Sequence, residues 1–302
     1  MASTPHPQQL RYDDRALTNY LPALTGLLVG GGYGYVAQRG AFCMNSGFRV
    51  AVTERNTTKV KAYVLAIALQ MLFVPLVFIA GLSSPTYPSF FPLGAVVGGL
   101  LFGASMRWAG GCAAGVWYKL GAGSMGALAA IAGMAIGAAA LELGPLAQLR
   151  TAIQSMGPSI GGALSAELWS FAPVAGLVIV VLLWRAAPGK AGDWPWRRTG
   201  LAMGVIGILA WPLSSLAARD FGMAVVPGTV SLLAEPWPRF LSWDVLFVLG
   251  IPLGAFIAAR RDGPVTVSRA SFEDVSKRFA GGLGLGMGAS VAAGCTVGHG
   301  LT

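Results

Sequence analysis

The sequence predicts an all-α, polytopic membrane protein made of two pseudo-symmetric repeats, and three observations predict it. Charge is scarce: of 302 residues only 11% are charged while 55% are hydrophobic, and mean hydropathy is +0.64. A soluble domain carries roughly 25% charged residues because its surface faces water. A soluble enzyme, a nucleic-acid module and a disordered tail are therefore excluded as classes. Apolar runs of bilayer length recur along the chain, and the chain resembles itself at a fixed offset. The 43 glycines are about twice the usual share of roughly 7% and follow no Gly-X-Y period. In a membrane they read as close helix packing and broken backbone.

The elements follow in order. Residues 1–19 are a polar N-terminal segment that begins with no apolar core of the kind a cleavable signal peptide needs. Apolar runs then fall at 20–37, 60–82, 92–106, 122–143, 167–184, 199–218, 241–259 and 279–294. A full span needs about 20 apolar residues. The runs 92–106 and 279–294 are shorter, rich in glycine and stop near a Gly-Cys, so they read as half-helices that meet inside the membrane. The first membrane repeat is expected over 20–184, a basic loop over 185–198 and the second repeat over 199–302. Arg49, Arg55, Lys59 and Lys61 occupy one connection, Arg185, Lys190, Arg197 and Arg198 a second, and Arg260, Arg261, Arg269, Lys277 and Arg278 a third. The excess of basic residues places these three loops in the cytoplasm. It reads as a topology signal rather than as a nucleic-acid patch.

Self-similarity sets the architecture. Gly98, Gly99, Leu100, Gly103, Gly111, Cys112 and Gly115 recur without a gap, at an offset of 183, as Gly281, Gly282, Leu283, Gly286, Gly294, Cys295 and Gly298. Upstream, Phe42-Cys43-Met44 matches Phe221-Gly222-Met223. A duplicated fold with one Gly-Cys hairpin per half follows, and such repeats meet at a midplane site. Two long apolar runs follow Gly115 but only four residues follow Gly298, so the second repeat is expected to be truncated.

The candidate chemistry lies in these breaks. Cys112 follows Gly111, and Cys295 follows Gly294. A glycine turn leading into a helix exposes backbone N–H groups and the positive end of the helix dipole, which suits an anion. A thiol there is a small, soft, neutral donor. The competing reading is that a buried cysteine is only a small hydrophobe. Cys43 sits beside Asn45 and Ser46 in another short Gly-bounded stretch, and its counterpart Gly222 has no thiol. Arg107 and Lys119 bracket Cys112, and Arg39 and Arg49 bracket Cys43, placed either to orient an oxyanion or to snorkel to headgroups. His299 stands close after Cys295, where its ring could titrate or accept a hydrogen bond.

Three free cysteines, an odd number, do not make a disulfide framework, and no Cys/His spacing marks a metal site. Glu142, Glu167, Asp220 and Asp244 lie near the ends of runs rather than at their centres, unlike the buried acids of cation pumps. No phosphate-binding loop provides for ATP, and His6 and His299 are too few for a hydrolytic constellation. No cofactor is expected.

Together, the stretch around Cys43, the Gly-Gly-Cys break at Cys112 and the Gly-Cys-Thr-Val-Gly-His-Gly segment at Cys295 resemble the YeeE/YedE sulfur-transport family. The resemblance covers nearly the whole chain. It implies an inner-membrane thiosulfate permease, with short helices entering from both faces toward an hourglass-like centre. It also implies that Cys43, Cys112 and Cys295 line the route and pass thiosulfate along by S–H hydrogen bonds without a covalent intermediate. The implied partners are the thiosulfate ion, membrane lipid and a small cytoplasmic TusA-like sulfur carrier. Two alternatives stay open: a permease for another sulfur or selenium compound, and a membrane sulfurtransferase carrying a cysteine persulfide. The latter needs a solvent-reachable thiolate.

Overall fold

The computed structural model describes residues 7–84, 90–159, 162–234, 241–295 and 297–298. Lipid offers no hydrogen bonds to backbone, so apolar runs of this kind must bond within themselves as helices. Among the described residues twelve helices follow in order: α1 Pro7–Arg39, α2 Met44–Thr53, α3 Thr58–Ile79, α4 Pro92–Ala109, α5 Ala113–Gly121, α6 Gly126–Glu142, α7 Ala147–Ser155, α8 Gly162–Trp184, α9 Trp196–Ser215, α10 Val225–Ala234, α11 Trp243–Arg260 and α12 Phe272–Val291. A two-residue antiparallel ribbon, β1 Lys190–Ala191 and β2 Trp194–Pro195, leads into α9. Among the described residues three runs are long and apolar enough to cross a bilayer: Thr58–Ile79, Pro92–Gly121 (α4 with α5) and Trp243–Arg260. The pair α6 and α7, bent by 69° at its break, supplies a fourth if counted as one broken span.

The helix lengths refine the sequence expectation. The runs at 92–106 and 279–294 lie within helices of 18 and 20 residues. The short helices are α2, α5, α7 and α10, of 10, 9, 9 and 10 residues. Apolarity undercounts α4 and α12 because each continues through charged residues, Arg107 in one and Glu273 to Arg278 in the other. Such side chains reach water along their own stems without ending the helix.

The packing follows one scheme twice. α1 lies on α11, and α9, the first helix after the ribbon, lies in the same way on α3. α2 packs on α3 as α10 packs on α11, while α4 crosses α12. Close backbone approach drives such contacts where lipid removes the hydrophobic incentive. A Cβ on Gly34 of α1 would stand 1.9 Å from the carbonyl oxygen of Ile251 on α11, so only glycine allows this crossing. It also fixes the neighbouring Tyr33.

The chain is not symmetric throughout. On α12, Cβ atoms at Gly282 and Gly286 would each lie 2.1 Å from carbonyl oxygens of α6, those of Ala130 and Met134. The matching positions on α4, Gly99 and Gly103, have no heavy atom within 4 Å.

The basic connections gather at one end. Arg39, at the end of α1, bonds Asp262 at 2.6 Å and Asp193 at 3.2 Å, tying the second and third basic loops together. Ser268 of the third loop exchanges backbone hydrogen bonds with the α5–α6 turn, at Gly123 and Met125. At the opposite end Arg219 grips Asp244 through two nitrogens, at 2.6 and 2.8 Å, and donates to the carbonyls of Phe221 and Gly222. This clamp holds the loop that leads into α10.

Candidate functional site

The site is built from the starts of short helices. α4 ends at Gly110, whose φ of 78° turns the chain left-handed. Gly111 follows, and Cys112, in extended backbone, is the residue from which α5 begins. α12 ends in the same manner: Ala293 takes a φ of 59°, and Gly294 and Cys295 follow. An alanine in this region costs about 1 kcal/mol or more, and such strain persists only where the surroundings impose it. Cys43 likewise follows a left-handed residue, Ala41 with φ 45°, and starts α2 from extended backbone.

A helix usually begins on Ser, Thr, Asp or Asn, whose side chain satisfies the free N–H groups of the first turn. α2 and α5 begin on cysteine, and neither thiol makes a capping hydrogen bond. The two starts face each other with their thiols crossed. The sulfurs of Cys43 and Cys112 are 3.9 Å apart. The N–H groups of Cys112 and Ser46 lie beside the Cys43 sulfur, and those of Met44 and Gly115 beside the Cys112 sulfur. Gly115 makes room for both: a Cβ there would sit 2.7 Å from one sulfur and 3.2 Å from the other.

Cys295 does not join this pair. It meets the start of α10, where the N–H groups of Val225 and Val226, with those of Val297 and Gly298, surround its sulfur. Trp117 of α5 donates to Thr229 of α10 at 3.0 Å, so the two groups of N–H donors belong to one packed core. All three cysteines are buried and free. Tyr33 joins them: it is 1% exposed, its ring edge rests on Phe247, and its hydroxyl interacts electrostatically with Cys43, Cys112 and Cys295. Tyr118 does the same for Cys43 and Cys112.

Of the other residues singled out from sequence, Asn45 ties α2 to α4 by donating to the Met106 carbonyl at 3.0 Å. Ser46 donates to the Cys43 carbonyl and accepts from Lys59. Gly111 and Gly294 each follow the left-handed residue that makes the turn, Gly110 and Ala293, Arg107 is exposed, and His299 lies outside the described residues. A cavity of about 980 Å³ is lined among others by Asn45, Ser46, Arg49, Arg107, Lys119 and Cys295, whereas Cys43 and Cys112 are not in its lining. Among the described residues its lining holds arginine and lysine but no carboxylate. Among the described residues no cluster of three or more His, Cys, Asp or Glu side chains is placed to hold a metal.

Tyr33 was not singled out from the sequence. Its signal was an aromatic residue inside the run Gly30-Gly31-Gly32-Tyr33-Gly34: a large polar-tipped side chain between glycines marks a helix pressed close to its neighbour.

Neutral soft donors, converging N–H groups and a cavity without carboxylates form a place for an anion rather than for a cation. Comparison with known proteins agrees. A family model described as sulphur transport matches residues 39–302. The chain belongs to the sulphur-transport (YeeE/YedE) family. It is 32% identical over 306 residues to the thiosulfate transporter TsuA of Escherichia coli K12, covering 92% of this chain and 86% of that protein. It is 30% identical over 307 residues to the thiosulfate transporter TsuA of Spirochaeta thermophila, covering 92% and 90%. With its apolar helices of spanning length, this member of the family is a multi-pass membrane protein.

Proposed function

We propose that this protein is an inner-membrane permease that takes up thiosulfate. The observation that carries the reading is the pair of facing helix starts with Cys43 and Cys112 in contact at 3.9 Å, each sulfur beside one N–H of the other helix start and one of its own helix. The positive-inside rule places the end that carries the basic loops in the cytoplasm. On that orientation Cys295 and the start of α10 receive the anion first, and Cys112 and Cys43 receive it next. Thiols donate S–H to the terminal sulfur or the oxygens of thiosulfate, and the helix starts offset its charge. A thiol is a weak donor, so the anion is held loosely enough to leave, and no covalent bond forms. At the basic end a small TusA-like sulfur carrier takes the product. The names of the two relatives support thiosulfate as the substrate.

Growth on thiosulfate as sole sulfur source, in a bacterial strain lacking its own uptake systems, tests this. The wild-type protein restores growth, while Cys112→Ala or Cys295→Ala at equal membrane abundance does not. Failure of a well-folded wild type to restore growth contradicts the reading. The 3.9 Å thiol contact also admits a second reading, a sulfurtransferase: one cysteine, as thiolate, attacks the outer sulfur of thiosulfate, the S–S bond of the ion breaks, sulfite leaves and a persulfide remains on the cysteine. Mass spectrometry of protein quenched during turnover decides: added sulfur on Cys43 or Cys112 supports transfer, and its absence supports the relay.

A further inference from the structure

The helix starts carry only fractional positive charge, yet thiosulfate, the anion proposed to rest on them, is a dianion. Lys119 stands where that charge is met. It lies on α5, two turns beyond Cys112, and its side chain folds back so that Nζ donates to the carbonyl of Gly110. It is half-buried, it interacts electrostatically with the Cys43 thiol, and it lines the cavity that also takes in Asn45, Ser46 and Cys295. None of the ion pairs among the described residues involves it. An ammonium has three donors, and the bond to Gly110 uses one.

We propose that Lys119 recognises the charge of the transported anion, as an ammonium tethered to Gly110 beside the inner thiol pair; this rests on the permease reading above. Lysine is a compact charge that binds an anion without the bidentate lock of an arginine, which suits a residue that must release its ligand. Arg107 and Arg49 share the cavity but are exposed, and they raise the local anion concentration rather than contact the bound ion.

A purely structural role, the satisfaction of the Gly110 carbonyl, makes a different prediction. Lys119→Gln keeps a donor for that carbonyl but removes the charge, whereas Lys119→Arg keeps both. Calorimetric binding of thiosulfate to full-length, detergent-purified protein separates them. The expected result is affinity near wild type for the Arg variant. The Gln variant loses about tenfold or more, the scale of one charge-assisted hydrogen bond, with an unchanged melting temperature. A Gln variant that binds as tightly as wild type overturns this proposal and leaves the permease reading intact. A wild type that binds neither thiosulfate nor sulfite overturns both.

Discussion

Sulfur at the start of a helix is an unusual choice, and the geometry around Gly115 explains what it requires. Both thiols lie over the first turn of α5, in the space that a side chain at position 115 would fill. Gly115→Ala therefore pushes the Cys43 sulfur away from Cys112. The expected cost is about 1–3 kcal/mol of stability, as for other overpacked cores, with a larger loss of uptake; thermal unfolding and uptake on the same preparation check both. Tyr33→Phe is the complementary test. It keeps the ring on Phe247 and removes only the hydroxyl, which is buried near the three thiols. Membrane abundance stays at wild type, and thiosulfate uptake falls by about tenfold, the scale of one lost hydrogen bond to a charged ligand. Uptake equal to wild type assigns Tyr33 to packing alone. Cys112 and Cys295 were legible in sequence because a rare residue recurred at one offset beside glycine, whereas Cys43 stood out only by its short Gly-bounded stretch with Asn45 and Ser46. Tyr33 and Lys119 gave weaker signals, since their roles depend on which helices cross, and the spacing of residues along one helix does not determine that.

At the scale of elements, the contact between α1 and α11 carries the site. Gly34 lets the two backbones touch, and this crossing brings Tyr33 to the cysteines. Gly34→Leu must separate the helices and is expected to abolish accumulation of the folded protein, read as membrane abundance and monodispersity in detergent. Normal accumulation contradicts the close crossing. The element boundaries show where pattern reading stops. An apolar run reports the length of greasy chain, so 92–106 looks like a half-span, but hydrogen bonding continues α4 through Arg107 to Ala109. The true breaks lie where Gly110 and Ala293 turn left-handed. The glycine in Gly110-Gly111-Cys112 was readable as a turn, whereas the alanine at 293 gave no such sign.

At the scale of the molecule, two groups of backbone N–H donors sit at the starts of short helices, one with a single thiol and one with a pair. A duplicated fold supplies both, and the two groups differ in their number of thiols. The sequence repeat made the duplication legible. It did not reveal that α12 is closed by α6 while the matching face of α4 borders the cavity, because that difference comes from packing partners and not from the repeated residues. The proposed passage of the anion from thiol to thiol is tested by uptake of radiolabelled thiosulfate into proteoliposomes holding purified wild-type protein or the Cys43→Ser, Cys112→Ser or Cys295→Ser variant at equal density. A thiol relay gives uptake by the wild type and its loss in the Cys112 and Cys295 variants, with a weaker residual in the Cys43 variant. Undiminished uptake through the variants would contradict the relay.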